Sequence, residues 1–281
     1  MNDLSVNGFR WKLECGMSVV SKVYFTNCTA DSPARCLLQG NKQFNLKYGC
    51  NWCENPGERV EKGKSHCRVY CTDFEHVLRS GEEYRIKASE SVFENGIKAA
   101  SPFLKLNTFN IVDGFTVDIM HCVYLGIVRT LTNLWLEASH SDYYIGKAVS
   151  EIDNVLLNCK TPSEICRNFR SIKTNKYWKA TEWRSWLFVA PIVLKGILPK
   201  QFVKHFQKLA SLIYDVTCSA ISDSSLVEAE SMVLKFSGSL ERLYGKSNLT
   251  FNVHQLNHLV QSVKNWGPAW GTSAFPFESF N

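Results

Sequence analysis

Hydrophobic and polar positions follow two different patterns along this chain. Near the start, Lys22 to Cys28 (KVYFTNC) is β-branched and aromatic, which predicts a strand. SPARCLLQ, Ser32–Gln39, then reads as a short helix, with Ser32 as its N-cap and Pro33 suited to the first helical position. Asp31 falls between the two, at a strand-to-helix junction of the kind that often carries catalytic side chains in α/β folds. Gly40 to Lys64 is rich in Gly, Asn and Lys and reads as a loop. From about Thr72 to Ala100 the chain is polar and weakly periodic, as expected of a linker or excursion.

From Ile111 the period becomes helical. In VDIMHCVYLGIVRTLTNLWLEAS the apolar positions Ile119, Val123, Ile127, Leu131 and Leu134 recur at steps of three and four. EWRSWLFVAPIVLKGIL, KQFVKHFQKLASLIYDVTCSAI and SSLVEAESMVLKFSGSLERLYG continue the series, so four or five successive helices form an all-α block of about 150 residues. A last helix is expected over Asn252 to Lys264, after which WGPAWGTSAFPFESFN turns through Gly267, Pro268, Gly271 and Pro276 to reach Glu278.

Composition narrows the picture modestly. The chain has 281 residues, 45% of them hydrophobic and 12% aromatic, enough for a real core in one large domain or two ordinary ones. The formal charge of +6 is compatible with a nucleic-acid partner without requiring one. The sequence has no signal-peptide pattern, and its longest apolar run, Trp186 to Leu194, is too short to cross a bilayer. A nuclear or cytosolic location is therefore expected, with no membrane contact and with the 11 Cys kept reduced.

Candidate chemistry lies at the two ends of the chain. Cys50 and Cys53 form a Cys-x2-Cys pair in YGCNWCENPGE, and His254 and His258 form a His-x3-His pair whose i,i+4 spacing puts both rings on one helix face. Two thiolates and two imidazoles make a closed tetrahedral Zn²⁺ site. Such a site would staple the ends together and bring Asp31 toward Glu278, a carboxylate pair suited to Mg²⁺-dependent phosphoryl transfer. Each feature also has a simpler reading. In it the two Cys pack as buried thiols, and the two His as one core and one surface residue. Asp31 has the reading of a helix cap, and Glu278 of a solvated acid near the terminus. Asp118 and His121 (VDIMHC) are a secondary candidate pair, set against a core histidine on an apolar helix. His66, Cys67 and Cys71 form a weaker cluster with no fourth ligand nearby. Lys42, Lys47, Arg59, Lys62, Lys64 and Arg68 offer a basic surface for DNA phosphates, with Glu54, Glu58 and Glu61 interspersed as in a solvated loop. Trp178, Trp183 and Trp186 suit core packing, or for one of them a stack on a flipped base.

The words GFRWK, CTADSPARCLLQGNKQFNLKYGCNWCENPGERVEKGKSHCRVY, DGFTVDIMHCVYLGIVRTLTNLWL, YYIGK, YWKATEWRSWLF, FNVHQLNHLVQSVKNWGPAW and FPFESFN, taken in order, resemble successive blocks of a CACTA-type (En/Spm-like) DNA transposase of the invertebrate type. The order Asp, Cys-x2-Cys, His pair, Glu is more distantly similar to the catalytic core of the V(D)J recombinase. The resemblance implies an α/β fold: a partial RNase H-like core interrupted by a large, mainly helical insertion. Residues 1–71 would hold part of that core, 72–250 a linker and the insertion, and 251–281 the return to the core.

By the same resemblance Asp31 is the second catalytic carboxylate and Glu278 the third, and Cys50, Cys53, His254 and His258 bind structural Zn²⁺. The intact parent would use Mg²⁺ or Mn²⁺ to cut transposon ends and join them to target DNA, acting as a homodimer on DNA and not on a small-molecule substrate. The family's first Asp, on an earlier strand, has no counterpart before Asp31, and Phe44-Asn45-Leu46 stands where the family usually has FNG. The expectation is a transposase fragment that is inactive alone, the alternative being a zinc-stapled DNA- or protein-binding module domesticated from a transposon.

Overall fold

The computed structural model describes residues 2–71, 77–160 and 167–278. It opens with a short helix α1 (Asn2–Val6) and a hairpin of β1 (Phe9–Lys12) and β2 (Ser18–Ser21), with Phe9 opposite Ser21. β1 is exposed along its length, so this hairpin contributes little to the core.

The strand expected over Lys22 to Cys28 is realised only at its end. Cys28 bridges Phe115 in parallel: its N–H donates to Gly114 O at 2.7 Å, and Thr116 N–H donates to Cys28 O at 3.1 Å. Upstream of Cys28, residues 22–27 form no ladder. The aromatic pattern serves packing instead, because Phe25 lies against Phe103 and Phe109 with centroids 5.6 and 5.2 Å apart.

Helix α2 (Ser32–Gln39) has the expected bounds but a different cap. Asp31, not Ser32, is the N-cap, and its Oδ1 accepts from Ala34 N–H at 2.8 Å. Gly40 ends the helix in the left-handed region, at φ 73°, and a Cβ there would meet Ala99 O at 2.1 Å. Gly40 therefore both stops the helix and admits the strand-like segment that donates from Lys98 and Ala99 to its carbonyl.

Strands β3 (Glu58–Lys62) and β4 (Ser65–Val69) form a second antiparallel hairpin. It carries most of the basic residues noted in the sequence, but Arg68 turns inward and donates to the carbonyls of Asn45, Pro56 and Gly57. At the end of β4, Tyr70 N–H donates to Leu249 O at 2.9 Å, the first tie to the far end of the chain.

The segment expected to be a linker contains helix α3 (Gly81–Ser89); residues 72–76 of that stretch lie outside the described residues. Ser80 caps α3, Glu82 and Glu83 stand in its first turn and Lys87 in its last, all favourable to the helix dipole. It buries only Gly81 and Tyr84, which is why no apolar stripe announced it.

The remaining elements are helical, as the periodicity predicts. A π-helical run, Met120–Val128, continues into α4 (Arg129–Glu137). Then come α5 (Val149–Asn158), α6 (Ala180–Val193), α7 (Lys200–Thr217), α8 (Asp223–Tyr244), α9 (Phe251–Trp266) and the single turn α10 (Phe275–Glu278). Trp178, Trp183 and Trp186 are buried against one another, and Trp186 donates to Thr132 Oγ1 at 2.9 Å, so all three pack the core. The fold is thus mixed, with two small antiparallel hairpins set against a dominant set of helices. No described helix is long and apolar enough to cross a membrane.

Candidate metal centre

Four ligand-type side chains converge from opposite ends of the chain. Cys50 and Cys53 lie in the loop after α2, and His254 and His258 lie one turn apart on α9. All four are buried, and their ligand atoms lie within 4.8 Å of one another. Cys50 Sγ stands 3.4 Å from His258 Nε2, Cys53 Sγ 3.3 Å from His254 Nε2, and the two Nε2 atoms are 3.4 Å apart.

These spacings fit zinc. Zn–S bonds of about 2.3 Å and Zn–N bonds of about 2.0–2.1 Å at a tetrahedral angle put S and N roughly 3.6 Å apart and two N atoms roughly 3.3 Å apart. The thiols point the same way. Burial raises the Cys50 thiol, but the hydrogen bond with Cys53 and the fields of His258 and His254 outweigh it and leave Cys50 well below the ordinary thiol range. Cys53 is raised, first by that same hydrogen bond and then by burial. A divalent ion held by the pair would stabilise both thiolates.

The surroundings hold the four side chains in place by stacking. His258 lies on Trp52 at 5.4 Å, His254 lies on Tyr70 at 4.8 Å, and the two imidazoles meet edge to face at 5.1 Å. His254 Nδ1 is buried with no hydrogen-bond partner, so that ring is oriented by stacking and by its Nε2 contacts with Cys53 and His258. Behind the cluster Arg35, 1% exposed, links the two ends of the chain. Its Nη2 donates to Gln255 Oε1 at 2.8 Å, its Nε to Asn51 Oδ1 at 3.2 Å, and its guanidinium sits 4.4 Å over Trp52. Burial lowers the Arg35 pKa, with the nearby thiols and Asp118 opposing. Neither Arg35 nor Gln255 was singled out by the sequence, where each is one more polar residue inside a helical pattern.

A second cluster forms beside the first. Asp118, 2% exposed, accepts on Oδ2 from His121 Nδ1 at 2.6 Å and from His121 N–H at 3.1 Å. Its Oδ1 accepts from the backbone of Met120 and Ala274 and from the Ser273 hydroxyl. Asp118 thus ties the start of the π-helical run to the segment that leads into α10. His121 Nε2 then stands 3.5 Å from Glu278 Oε1. The His121 pKa is raised, first by the hydrogen bond with Asp118 and further by the fields of Asp118, Glu278 and Asp31. The pair Asp118 and His121, secondary in the sequence, is therefore what receives Glu278. A run of backbone in π geometry at this point matches the frequent use of such distortions at functional sites. It is accommodated by Gly126, where a Cβ would meet Asn252 Nδ2 of α9 at 2.5 Å.

Other contacts close the same junction. Thr29 Oγ1 lies 2.9 Å from Thr116 Oγ1 and donates to Thr272 O at 2.8 Å, and Trp266 Nε1 donates to Asp113 O at 2.7 Å. The weaker cluster of the sequence does not assemble. Cys67 Sγ donates to Ser247 O and Cys71 Sγ to Glu58, and among the described residues the one group with metal-ligand geometry is the Cys2His2 set.

No family model matches the chain, and no curated protein is similar to it.

Proposed function

We propose that this chain is the zinc-stapled part of a DDE-type DNA transposase, in which Asp31 and Glu278 belong to a metal-dependent phosphoryl-transfer site. The observation that supports the reading is the approach of Glu278 to His121, whose Nε2 lies 3.5 Å from Glu278 Oε1. Groups from two distant parts of the sequence, Asp118 with His121 and Glu278, meet in a chain whose ends are joined by a Cys2His2 cluster. The parallel pairing of Cys28 with Phe115, just ahead of Asp31, is in keeping with an RNase H-like core.

The roles follow from position. Asp31 and Glu278 are the metal-binding carboxylates. A divalent ion held there supplies activation of a water or 3′-hydroxyl and stabilisation of the leaving oxygen. His121, fixed at Nδ1 by Asp118, directs its other nitrogen at Glu278 and can hold a proton where an anionic substrate approaches. The Zn²⁺ would be structural, docking α9 onto the Cys50–Cys53 loop.

A second reading is favoured by the state of the carboxylates. Both oxygens of Asp118 are engaged in hydrogen bonds, so it is not available as a further metal ligand, and Asp31 Oδ1 is engaged in capping α2. A chain with two usable carboxylates binds a divalent ion weakly, which suits a zinc-stapled DNA- or protein-binding module. Mn²⁺ titration separates the two. Paramagnetic broadening of the His121 ring signals that disappears in Asp31→Asn and in Glu278→Gln supports the phosphoryl-transfer site. DNA binding with no such broadening means that the module reading is correct.

A further inference from the structure

A cavity of about 430 Å³ lies between α8, α9 and the turn at 112–115. Its inner wall is apolar and buried: Val112, Phe115, Val233 and Val260 are each at most 3% exposed. Trp52 and His258 form its floor, so it shares a wall with the metal centre. Leu78 and Leu234 line its mouth and are 64% and 48% exposed, which opens it to solvent.

Its polar atoms are unevenly distributed. Asn257 Oδ1 is buried in this wall with no hydrogen-bond partner. Such an acceptor costs about 1–3 kcal/mol when left unmade. At the rim, the Asp113 carboxylate accepts from Asn110 Nδ2 at 3.1 Å and meets no cationic side chain among the described residues. The cationic groups that line or border the cavity are committed elsewhere. Arg79 donates to the carbonyls of Cys50, Tyr48 and Asn95, and Lys264 pairs with Glu230 at 2.5 Å. Among the described residues, Asn257 Oδ1 lacks a donor and the Asp113 carboxylate lacks an ion-pair partner, on either side of an apolar space.

We infer that this cavity binds a small amphiphilic cation, a primary ammonium on an aromatic or branched apolar body. The body fills the space between Phe115, Val233 and Val260, an N–H donates to Asn257 Oδ1, and the charge faces Asp113. The volume lies within the range of small-molecule sites, about 300–1,000 Å³. The inference is independent of the phosphoryl-transfer reading, since it uses neither Asp31 nor Glu278.

The Trp52 indole reports on the site, because its Nε1–H donates to Phe115 O at 3.0 Å and both residues line the cavity. The test is a titration of the zinc-loaded full chain with phenethylammonium and with the uncharged 2-phenylethanol, read at the Trp52 indole N–H resonance. Both probes should shift it saturably, the ammonium binding about fivefold more tightly through its charge. Asp113→Asn, a rim change, should abolish that preference, and Asn257→Leu should weaken both probes. The inference is overturned if the ammonium gives no saturable shift at millimolar concentration, if it binds no better than the alcohol, or if its preference survives Asp113→Asn.

Discussion

Cys50 and His258, separated by 208 positions in the sequence, stand with Sγ and Nε2 3.4 Å apart in the interior. That one relationship fixes how the chain closes. α9 is held on the loop after α2, and Ala274 and Glu278, which follow it, are delivered to Asp118 and His121.

The purified chain should contain one Zn²⁺ per molecule. Elemental analysis should find it absent from the double variant Cys50→Ser, His258→Ala, and thermal unfolding of that variant should lose several kcal/mol of stability, since metal binding here is folding free energy. Full zinc retention in the double variant would rule the site out.

Arg35 should be worth more than its surface-like chemistry suggests. Arg35→Leu strands the buried side-chain oxygen of Gln255, leaves that of Asn51 only the Cys36 thiol, and should cost about 2–4 kcal/mol in urea unfolding. Arg35→Lys should not rescue it, because a single ammonium does not replace Nε and Nη2 in their fork geometry. Wild-type stability in the Lys variant would contradict this account.

The N-cap and metal roles of Asp31 can be separated. Asp31→Asn retains a capping oxygen for Ala34 N–H and should leave stability within a few tenths of a kcal/mol, whereas Asp31→Ala should cost about 1 kcal/mol. Any divalent-ion binding at the His121 cluster should fall in both. The chain by itself should give no Mg²⁺-dependent nicking of DNA. Nicking that is lost in both Asp31→Ala and Glu278→Ala would show that two carboxylates suffice.

His205 predicts an acid-labile helical block. It is 1% exposed, stacked on Phe236 at 4.3 Å, with Nε2 3.0 Å from Phe236 O, and burial lowers its pKa from 6.5 to about 4. The unfolded chain therefore binds this proton more readily. The stabilisation is complete above pH 6.5 and is lost as the pH falls toward 4, by about 3 kcal/mol in all. The pH dependence of urea unfolding measures this, and His205→Leu should flatten the curve across that window.

Much of this was legible in the sequence, for a local reason. Apolar residues at steps of three and four declare which face of a helix is buried, so α6, α7, α8 and α9 could be placed without coordinates. Spacing within a pair is equally local, and Cys50 with Cys53 and His254 with His258 announced themselves as candidate ligands. Where burial is slight, as in α3, the same reading failed, and at Lys22 to Cys28 an aromatic pattern that resembles a strand serves the packing of Phe25.

The sequence by itself therefore determined the strongly amphipathic helices and the two candidate ligand pairs, because period and spacing are properties of neighbouring residues. Only the tertiary structure decided that the pairs share one buried site, that Arg35 reaches Gln255, that Asp31 caps its helix, and that His121 stands between Asp118 and Glu278. A side chain's periodicity says that it will be buried or exposed but carries no address for its partner. Partners hundreds of positions apart are chosen by the packing of the whole chain.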